Sequence, residues 1–267
     1  MASSSSSSSA RSARVRVRSI PRRAFTEDLL TRLHTLSNGL MAENADHFRV
    51  HARANDLVHV FERGDGTLVG FQFWRTAPME LAGCRAILGG KLRVLPEARG
   101  AALHLRSGMR FFLANQLRHP RTRYYRLSLA SLFGFVSITS ALAAYHLFDP
   151  RATGAEADAV RAAFARLAEE SHYDLDAGTG LFFVDIYPSA ETLAAYPAGY
   201  FERPEARVYL RANPGFRDNG RYLAFWFRFT PANLISLARA IARGTSRWRA
   251  RRGPAARRTG SATRAAP

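Results

Sequence analysis

The sequence predicts an α/β protein, and three observations lead to this fold class. Strand patterns and helix patterns alternate along the chain. Two neighbouring strand patterns, residues 57–61 and 68–74, are separated by a segment with hairpin-turn chemistry, residues 63–67. A long apolar run, residues 85–95, turns through a glycine into a helical pattern. With 267 residues, 47% hydrophobic and 22% charged, the chain is ordinary globular material that can bury a sizeable core.

The other elements follow from local patterns in chain order. Residues 15–17 predict a first strand, Thr26 is the expected N-cap of the helix after it, and residues 41–55 predict a less regular helix or loop. The later predicted elements are a helix at 101–117, a strand at 124–129, a helix at 137–148, a helix capped by Thr153, a strand at 181–186, a strand at 222–229 and a helix opened by Thr230 and Pro231.

The segment Val94 to Gly100 reads Val-Leu-Pro-Glu-Ala-Arg-Gly and joins the apolar strand to a helix. The first N–H groups of a helix have no partner within it and lie at the positive end of its dipole, so such a turn binds phosphate or pyrophosphate. The sequence therefore predicts an anionic cofactor at this turn. The alternative is a strand–turn–helix without a ligand.

This Val-x-Pro-Glu-x-Arg-Gly segment resembles the acyl-CoA signature of the GCN5-related N-acetyltransferase (GNAT) superfamily. In that family the turn reads Gln/Arg-x-x-Gly-x-Gly/Ala, and its amides bind the CoA pyrophosphate. If Arg99 is the first position, Ala102 and His104 stand at the two later positions, where Gly and then Gly or Ala are expected. If Glu97 is the first position, Gly100 and Ala102 fit, but Glu replaces Gln or Arg.

The order of elements over roughly residues 14–150 is also similar to the GNAT core. The resemblance implies a mixed, mostly antiparallel central sheet flanked by helices. We expect one GNAT-like domain at residues 14–242, with an insertion around 188–220 that forms a long loop and shapes the acceptor side.

The resemblance further implies an acyl-CoA cofactor, acetyl-CoA in the simplest case, and transfer of its acyl group to an amine that the sequence does not identify. Residues 99–103 would hold the pyrophosphate through backbone amides, and residues 92–94 would line the pantetheine arm. The cofactor-binding residues implied in this way are Leu92, Arg93, Val94, Arg99, Gly100, Ala101, Ala102 and Leu103.

A second match lies at residues 141–148, which resemble the family segment Ala-x-x-x-Tyr-x-x-x-Gly-Phe. Tyr145 occupies the position of the tyrosine that protonates the departing CoA thiolate in many members, and it is the predicted catalytic residue. The Gly-Phe pair is not reproduced. A tyrosine packed in the core of a helix is the alternative interpretation.

A general base is not evident, because neither the signature strand nor residues 124–131 contain a carboxylate. Glu62, Glu80 and Asp185 are candidates, and each is equally explained as a surface or turn carboxylate. His59 lies within an apolar alternation and is interpreted as a structural histidine. The missing base favours one alternative function, a GNAT-like fold without efficient catalysis that serves as a CoA-binding or interaction module.

Cysteine and histidine usage indicates no metal site. The single cysteine, Cys84, excludes an intramolecular disulfide framework and a cysteine-based metal cluster, and it is interpreted as apolar filler. The pair His47-x-x-x-His51 lacks the accompanying Glu of a zinc helix.

Arginine is concentrated at the two ends of the chain. Residues 1–23 hold six arginines and residues 243–267 hold eight, both without acids, so they carry +14 of the net charge of +18. We expect disordered tails at 1–13 and 243–267. A further alternative function is binding of nucleic acid or an anionic membrane surface through these tails. The N-terminus lacks the apolar core of a secretory signal, and we expect a cytoplasmic protein.

One apolar stretch competes with this interpretation. Residues 127–148 contain no Asp, Glu, Lys or Arg, and as one helix they would span about 33 Å. The serines and the strand-forming residues of the first half favour a buried strand, a loop and a buried helix instead. We therefore expect no transmembrane span.

Overall fold

The computed structural model describes residues 15–40, 44–188 and 190–251. In these ranges the strands are β1 (Arg16–Pro21), β2 (Leu57–Glu62), β3 (Leu68–Pro78), β4 (Cys84–Val94), β5 (Arg123–Ala130), β6 (His146–Leu147), β7 (Asp174–Leu175), β8 (Leu181–Phe183) and β9 (Arg221–Arg228). The α-helices are α1 (Glu27–Asn38), α2 (Ala45–Arg53), α3 (Leu103–Arg118), α4 (Leu132–Thr139), α5 (Ala155–Ser171), α6 (Ala190–Ala194), α7 (Ala198–Phe201), α8 (Pro204–Ala212) and α9 (Pro231–Arg251).

The strands form one sheet in the order β1-β2-β3-β4-β5-β9-β8-β7, with β6 pairing to β9. β4 and β5 run parallel, whereas β2 is antiparallel to both β1 and β3, and β9 is antiparallel to β5, β6 and β8. The predicted mixed, mostly antiparallel sheet flanked by helices is confirmed. The β4–β5 pairing ends at Leu88 and Leu127, although β4 continues to Val94.

The described residues form two compact units, here called the first unit (residues 15–40, 44–74, 89–111 and 238–251) and the second unit (75–88, 112–188 and 190–237). In the first unit, alternate residues of β2 and β3 pack against α1 and α2, which buries Val58, Val60 and Phe71 with Leu30 and Phe48. A smaller cluster joins β2 and β4 to the segment before α3. Its members include Phe61, Leu92, Val94, Ala101 and Leu103.

Local sequence signals in the first unit are confirmed. The Thr26 hydroxyl accepts a hydrogen bond from the Leu29 N–H at 3.2 Å and caps α1, as expected. The hairpin between β2 and β3 closes with Arg63 N–H donating to the Thr67 carbonyl at 2.9 Å. The Asp65 carboxylate accepts from the Thr67 N–H at 2.9 Å.

The second unit packs α5 against β5, β8 and β9. Its core includes Phe148, Phe164 and Phe182, whose rings lie 4.9–5.8 Å apart, together with Trp226. The predicted cap of α5 was one residue off: Gly154 at φ 105° occupies the N-cap, without a side-chain bond.

The predicted helix at 137–148 is wrong in its bounds. Helix α4 covers only Leu132–Thr139, and the chain then runs irregularly into the two-residue strand β6. The reason is the buried Asn233, whose Oδ1 accepts from the N–H groups of Ala143 and Ala144 at 2.9 Å. Its Nδ2 donates to the Ala144 carbonyl at 2.9 Å. A distant side chain therefore satisfies backbone groups that a helix would have paired internally.

Two further expectations are corrected. The segment 188–220 was expected to be a long loop, and it contains the short helices α6, α7 and α8. The C-terminal tail was expected to begin at residue 243, but helix α9 continues to Arg251. Residues 252–267 and the expected tail at 1–13 lie outside the described ranges. None of the helices in the described part of the chain combines the length and the apolar character needed to cross a membrane.

Candidate active site

The turn after β4 has a left-handed backbone conformation, which is the conformation needed where a ligand approaches the backbone closely. A short 3₁₀ helix, Pro96–Ala98, follows β4, and α3 begins at Leu103. Between them Gly100 has φ 85° and Ala102 has φ 52°, both in the left-handed region. That conformation costs nothing at Gly100, whereas at Ala102 it is strained and must be maintained by the surrounding contacts.

Most backbone N–H groups of this turn have no acceptor in the part of the chain that the structure describes. Among the described residues, the N–H groups of Gly100, Ala101, Ala102 and Leu103 donate no hydrogen bond, while the Arg99 N–H donates to the Pro96 carbonyl at 3.1 Å. Four consecutive bare donors before and at the first residue of a helix match what a phosphate oxygen accepts.

The charges around the turn favour an anion. The Arg99 side chain is exposed and its Nε donates to the Val94 carbonyl at 3.4 Å. The one carboxylate in the segment, Glu97, forms an ion pair with Arg63 at 3.0 Å, which offsets its repulsion of a phosphate. On α3, Arg110 donates to the Val17 carbonyl at 2.8 Å and adds positive charge on the same helix.

The residues before the turn divide between the two faces of β4. Leu92 and Val94 pack against the cluster that contains Ala101 and Leu103. The Arg93 guanidinium points the other way, toward α1, and its Nε donates to the Ser37 hydroxyl at 3.1 Å. The eight predicted cofactor-binding residues therefore belong to one unit, but Arg93 does not share a face with Leu92 and Val94.

Helix α9 packs directly on the turn. A Cβ atom added at Gly244 would lie 2.8 Å from the Ala102 Cβ and 3.5 Å from the Ala102 N. Only a glycine permits this approach, because any larger residue would meet Ala102. A ligand at the turn must therefore lie beside α9 or displace its C-terminal part, a feature that the sequence alone did not reveal.

Tyr145 belongs to the second unit and lies in the irregular segment before β6, not on the helix that the sequence predicted. It is half-buried, with its ring edge-to-face to Phe135 at 5.6 Å. Among the described residues its hydroxyl has no hydrogen-bond partner. Burial raises the pKa of this hydroxyl, and the Glu205 carboxylate adds to the effect. Tyr145 therefore keeps its proton at neutral pH.

Two of the three candidate bases, Glu62 and Glu80, are paired with arginines. The Glu62 carboxylate forms two hydrogen bonds with the Arg18 guanidinium, at 2.8 and 3.0 Å. Glu80 pairs with Arg166 at 3.1 Å. His59 is fully buried with its Nδ1 2.8 Å from the Ser107 hydroxyl, which agrees with a structural histidine. Within the described ranges, no group of three His, Cys, Asp or Glu residues could hold a metal ion.

Lys91 is a chemically distinctive residue that the sequence reasoning did not use. It lies on β4 with φ 44°, a left-handed conformation for a residue with a side chain. Its ammonium lies 5.8 Å from the centre of the Phe48 ring. The sequence feature that could have drawn attention to Lys91 is that it is the single lysine among 39 lysine and arginine residues.

Comparison with known proteins adds the following. The sequence matches no protein-family model and no curated protein. Among solved structures, a GCN5-related N-acetyltransferase from Sphaerobacter thermophilus aligns over 82% of this chain and 96% of its own, with 10% identity and a TM-score of 0.35.

Two other solved structures align with the chain. A putative phosphinothricin N-acetyltransferase aligns over 81% of this chain and 99% of its own, with 9% identity and a TM-score of 0.32. A Trypanosoma brucei acetyltransferase aligns over 40% and 78%, with 20% identity and a TM-score of 0.30. Sequence identities and TM-scores this low do not transfer the role of any residue from these structures to this chain.

Proposed function

We propose that the protein is an acyl-CoA-dependent N-acyltransferase that moves an acyl group, acetyl in the simplest case, to an amine. The turn from Arg99 to Leu103 would bind the pyrophosphate, and residues 92–94 would line the pantetheine arm. Tyr145 would donate the proton to the departing thiolate. The amine acceptor is not specified by any feature described above.

The observation that carries this proposal is the run of four unused N–H groups at residues 100–103. A phosphate at this turn would accept from these donors without displacing any hydrogen bond among the described residues. The neighbouring arginines and the neutralised Glu97 support the same ligand. Because the donors belong to the backbone, their chemistry does not depend on the imperfect match of side chains to the family signature.

The state of Tyr145 supports its part in the proposal. A general acid must carry its proton at the working pH and must not spend its hydroxyl on another acceptor. Tyr145 meets both conditions, since its pKa is raised by burial and its hydroxyl has no described partner.

Calorimetric binding of acetyl-CoA to the full chain tests the cofactor site. We expect saturable binding that Gly100→Val weakens by more than about tenfold, because the added side chain disfavours φ 85° and stands beside the bare amides. Gly66→Val is the matched control, since Gly66 has φ 86° and, like Gly100, has no atom within 4 Å of an added Cβ. Equal loss of affinity in both variants, or no binding by a folded wild-type protein, would contradict the cofactor site.

Tyr145→Phe tests the catalytic step. We expect release of CoA thiol from acetyl-CoA, measured with a panel of small amines, to fall by about 10²-fold while acetyl-CoA affinity stays unchanged. Tyr187→Phe is the control, because Tyr187 is an exposed tyrosine of the same unit. Unchanged turnover in Tyr145→Phe would remove Tyr145 from the mechanism.

A second candidate function is CoA binding without efficient turnover. The observation that favours it is the pairing of Glu62 and Glu80 with arginines, which leaves two of the three predicted bases occupied. Binding without thiol release with any amine would support this candidate. A test of the arginine-rich C-terminus should remove only residues 252–267, because residues 243–251 belong to α9 and Gly244 contacts the turn.

A further inference from the structure

Ser128, on β5, carries a buried hydroxyl group that forms no hydrogen bond with any of the described residues. The residue is only 4% exposed, so bulk water does not satisfy this group. A buried hydroxyl without a partner destabilises a folded protein, and an alanine at the same position would avoid that cost. The unsatisfied hydroxyl therefore points to a hydrogen-bond partner that comes from outside the chain.

The register of the sheet shows the direction in which this hydroxyl points. Ser128 lies directly opposite Phe225 in the antiparallel pair of β5 and β9. Residues opposite each other in such a pair project from the same face of the sheet, with Cβ atoms about 5 Å apart. The Phe225 ring packs edge-to-face on Phe135 of α4, with ring centres 5.2 Å apart. Ser128 therefore points toward the side of the sheet that α4 covers.

Tyr145 lies on the same side of the sheet. The centre of its ring is 6.3 Å from that of Phe225 and 5.6 Å from that of Phe135. Two residues after Tyr145, Leu147 pairs with Phe225 where β6 meets β9. Ser128 and Tyr145 are therefore neighbours of one phenylalanine, the first across the β5–β9 pair and the second through a ring contact. All of these residues belong to the second unit.

The hydroxyl groups of Tyr145 and Ser128 suit different atoms of a thioester. Tyr145 keeps its proton at neutral pH and is assigned to the sulfur in the proposed function. The strong hydrogen-bond acceptor of a thioester is its carbonyl oxygen, because sulfur is a weak acceptor. A serine O–H rotates to donate its hydrogen to an acceptor within reach. Ser128 thus has the chemistry that the carbonyl oxygen requires.

We propose that Ser128 contacts the substrate directly and donates a hydrogen bond to the carbonyl oxygen of the acyl thioester. The choice of a thioester rests on the proposed function. The need of Ser128 for a partner from outside the chain does not rest on it, because this need follows from the burial of the unsatisfied hydroxyl.

This contact acts on the charge that develops during acyl transfer. When the amine nitrogen attacks the carbonyl carbon, a C–N bond forms and an electron pair moves to the oxygen that Ser128 contacts. The pair then returns, the C–S bond breaks, and the thiolate takes the proton of Tyr145. The new amide nitrogen releases a proton to solvent, from which Tyr145 recovers its own. A donor fixed in a buried site stabilises the charged oxygen more than the neutral carbonyl.

Binding of two ligands that differ only at the carbonyl group tests the contact without turnover. Acetyl-CoA carries the carbonyl oxygen, and S-ethyl-CoA is the thioether that has a methylene group in place of the carbonyl. Both are titrated by calorimetry into the full-length wild-type protein, Ser128→Ala and Ser140→Ala. Ser140 is an exposed serine of the same unit and provides the matched control.

We expect the wild-type protein to bind acetyl-CoA about fivefold more tightly than S-ethyl-CoA, the difference that one hydrogen bond makes. Ser128→Ala should bind the two ligands equally, and Ser140→Ala should keep the wild-type ratio. Thiol release with a panel of small amines should fall about 10²-fold in Ser128→Ala. An unchanged ratio in Ser128→Ala, or equal affinities in the wild type, would overturn the role of Ser128 and leave the cofactor site standing. A folded wild-type protein that binds neither ligand would contradict the proposed function, and with it the thioester as the partner of Ser128.

Thermal unfolding of the ligand-free proteins distinguishes a substrate contact from a structural role. Removal of an unsatisfied buried hydroxyl should leave the unfolding midpoint of Ser128→Ala unchanged or raise it. A hydroxyl that stabilises the fold would instead lower the midpoint when it is removed. A lowered midpoint, together with equal loss of affinity for both ligands, would show that Ser128 is structural and would overturn the proposal.

Discussion

His59 and Lys91 are two basic side chains that the first unit withdraws from water on opposite faces of its strands. His59 is 1% exposed and faces α3, where the Ser107 hydroxyl lies 2.8 Å from its Nδ1. Lys91 faces α2, where it contacts an aromatic ring. Burial lowers the pKa of both, that of His59 to about 4 and that of Lys91 to about 8.

The two residues differ in their surroundings, in their exposure to solvent and in their backbone conformation. The Ser107 hydroxyl also accepts from the Trp74 indole N–H at 2.7 Å, so His59 belongs to a buried polar group with Ser107 and Trp74. Its backbone is ordinary strand. Lys91 retains access to solvent and sits on a left-handed backbone. The same unit therefore buries one basic side chain completely on an ordinary strand and leaves the other partly exposed on a left-handed backbone.

We expect the largest effect on stability from removing the Ser107 hydroxyl, which contacts both His59 and Trp74. Ser107→Ala leaves the Trp74 N–H and a His59 nitrogen without their shared partner in a fully buried site. At about 1–3 kcal/mol for each buried group, we expect a loss of about 4 kcal/mol in the free energy of unfolding, measured by denaturant titration. Ser246→Ala, at an exposed position of α9, should change it by less than about 0.5 kcal/mol. A similar small change in Ser107→Ala would show that the buried group contributes nothing.

The next effect is the pH dependence that His59 imposes. The pKa of His59 is about 4 in the folded protein, against 6.5 when unfolded, because burial disfavours the charged ring and Arg110 repels it. The unfolded state therefore binds the proton first. Stability is fully present above pH 6.5 and falls as the pH drops toward 4, by about 3 kcal/mol in total. Unfolding free energies across this window, compared with those of His59→Gln, isolate the contribution. Parallel profiles for the two proteins would contradict it.

The smallest effect concerns the backbone of Lys91. At an ordinary strand position Ala is more stable than Gly, but at φ 44° the order should reverse. We expect Lys91→Gly to be more stable to unfolding than Lys91→Ala by about 1 kcal/mol. The same pair at Arg93, whose φ is not in the left-handed region, should show the usual order and serves as the control. The usual order at both positions would mean that Lys91 carries no backbone strain.

Much of the fold could be predicted because its signals are local. The Thr26 cap, the hairpin with Asp65 and Gly66, and the strand before Gly100 each depend on residues a few positions apart. The candidate cofactor turn was predicted for the same reason: a strand, a glycine and a helix are adjacent in the sequence. The unpaired amides of Ala102 and Leu103 follow from where α3 begins.

Other features could not be predicted, since partners far away in the sequence determine them. The segment before Tyr145 leaves the helical pattern because Asn233 binds its backbone. The segment 188–220 was rich in Pro, Gly and Tyr and resembled a loop, yet Tyr209 is buried and donates to the Ala130 carbonyl at 3.1 Å, which anchors α8.

The sequence by itself determined the fold class, the strand–turn–helix that could bind an anion, and the presence of one lysine among arginines. Only the tertiary structure decided that Gly244 packs on that turn and that Lys91 lies on a left-handed backbone over Phe48. Caps, turns and periodicity are properties of neighbouring residues. Burial, pKa and access depend on which distant elements pack together.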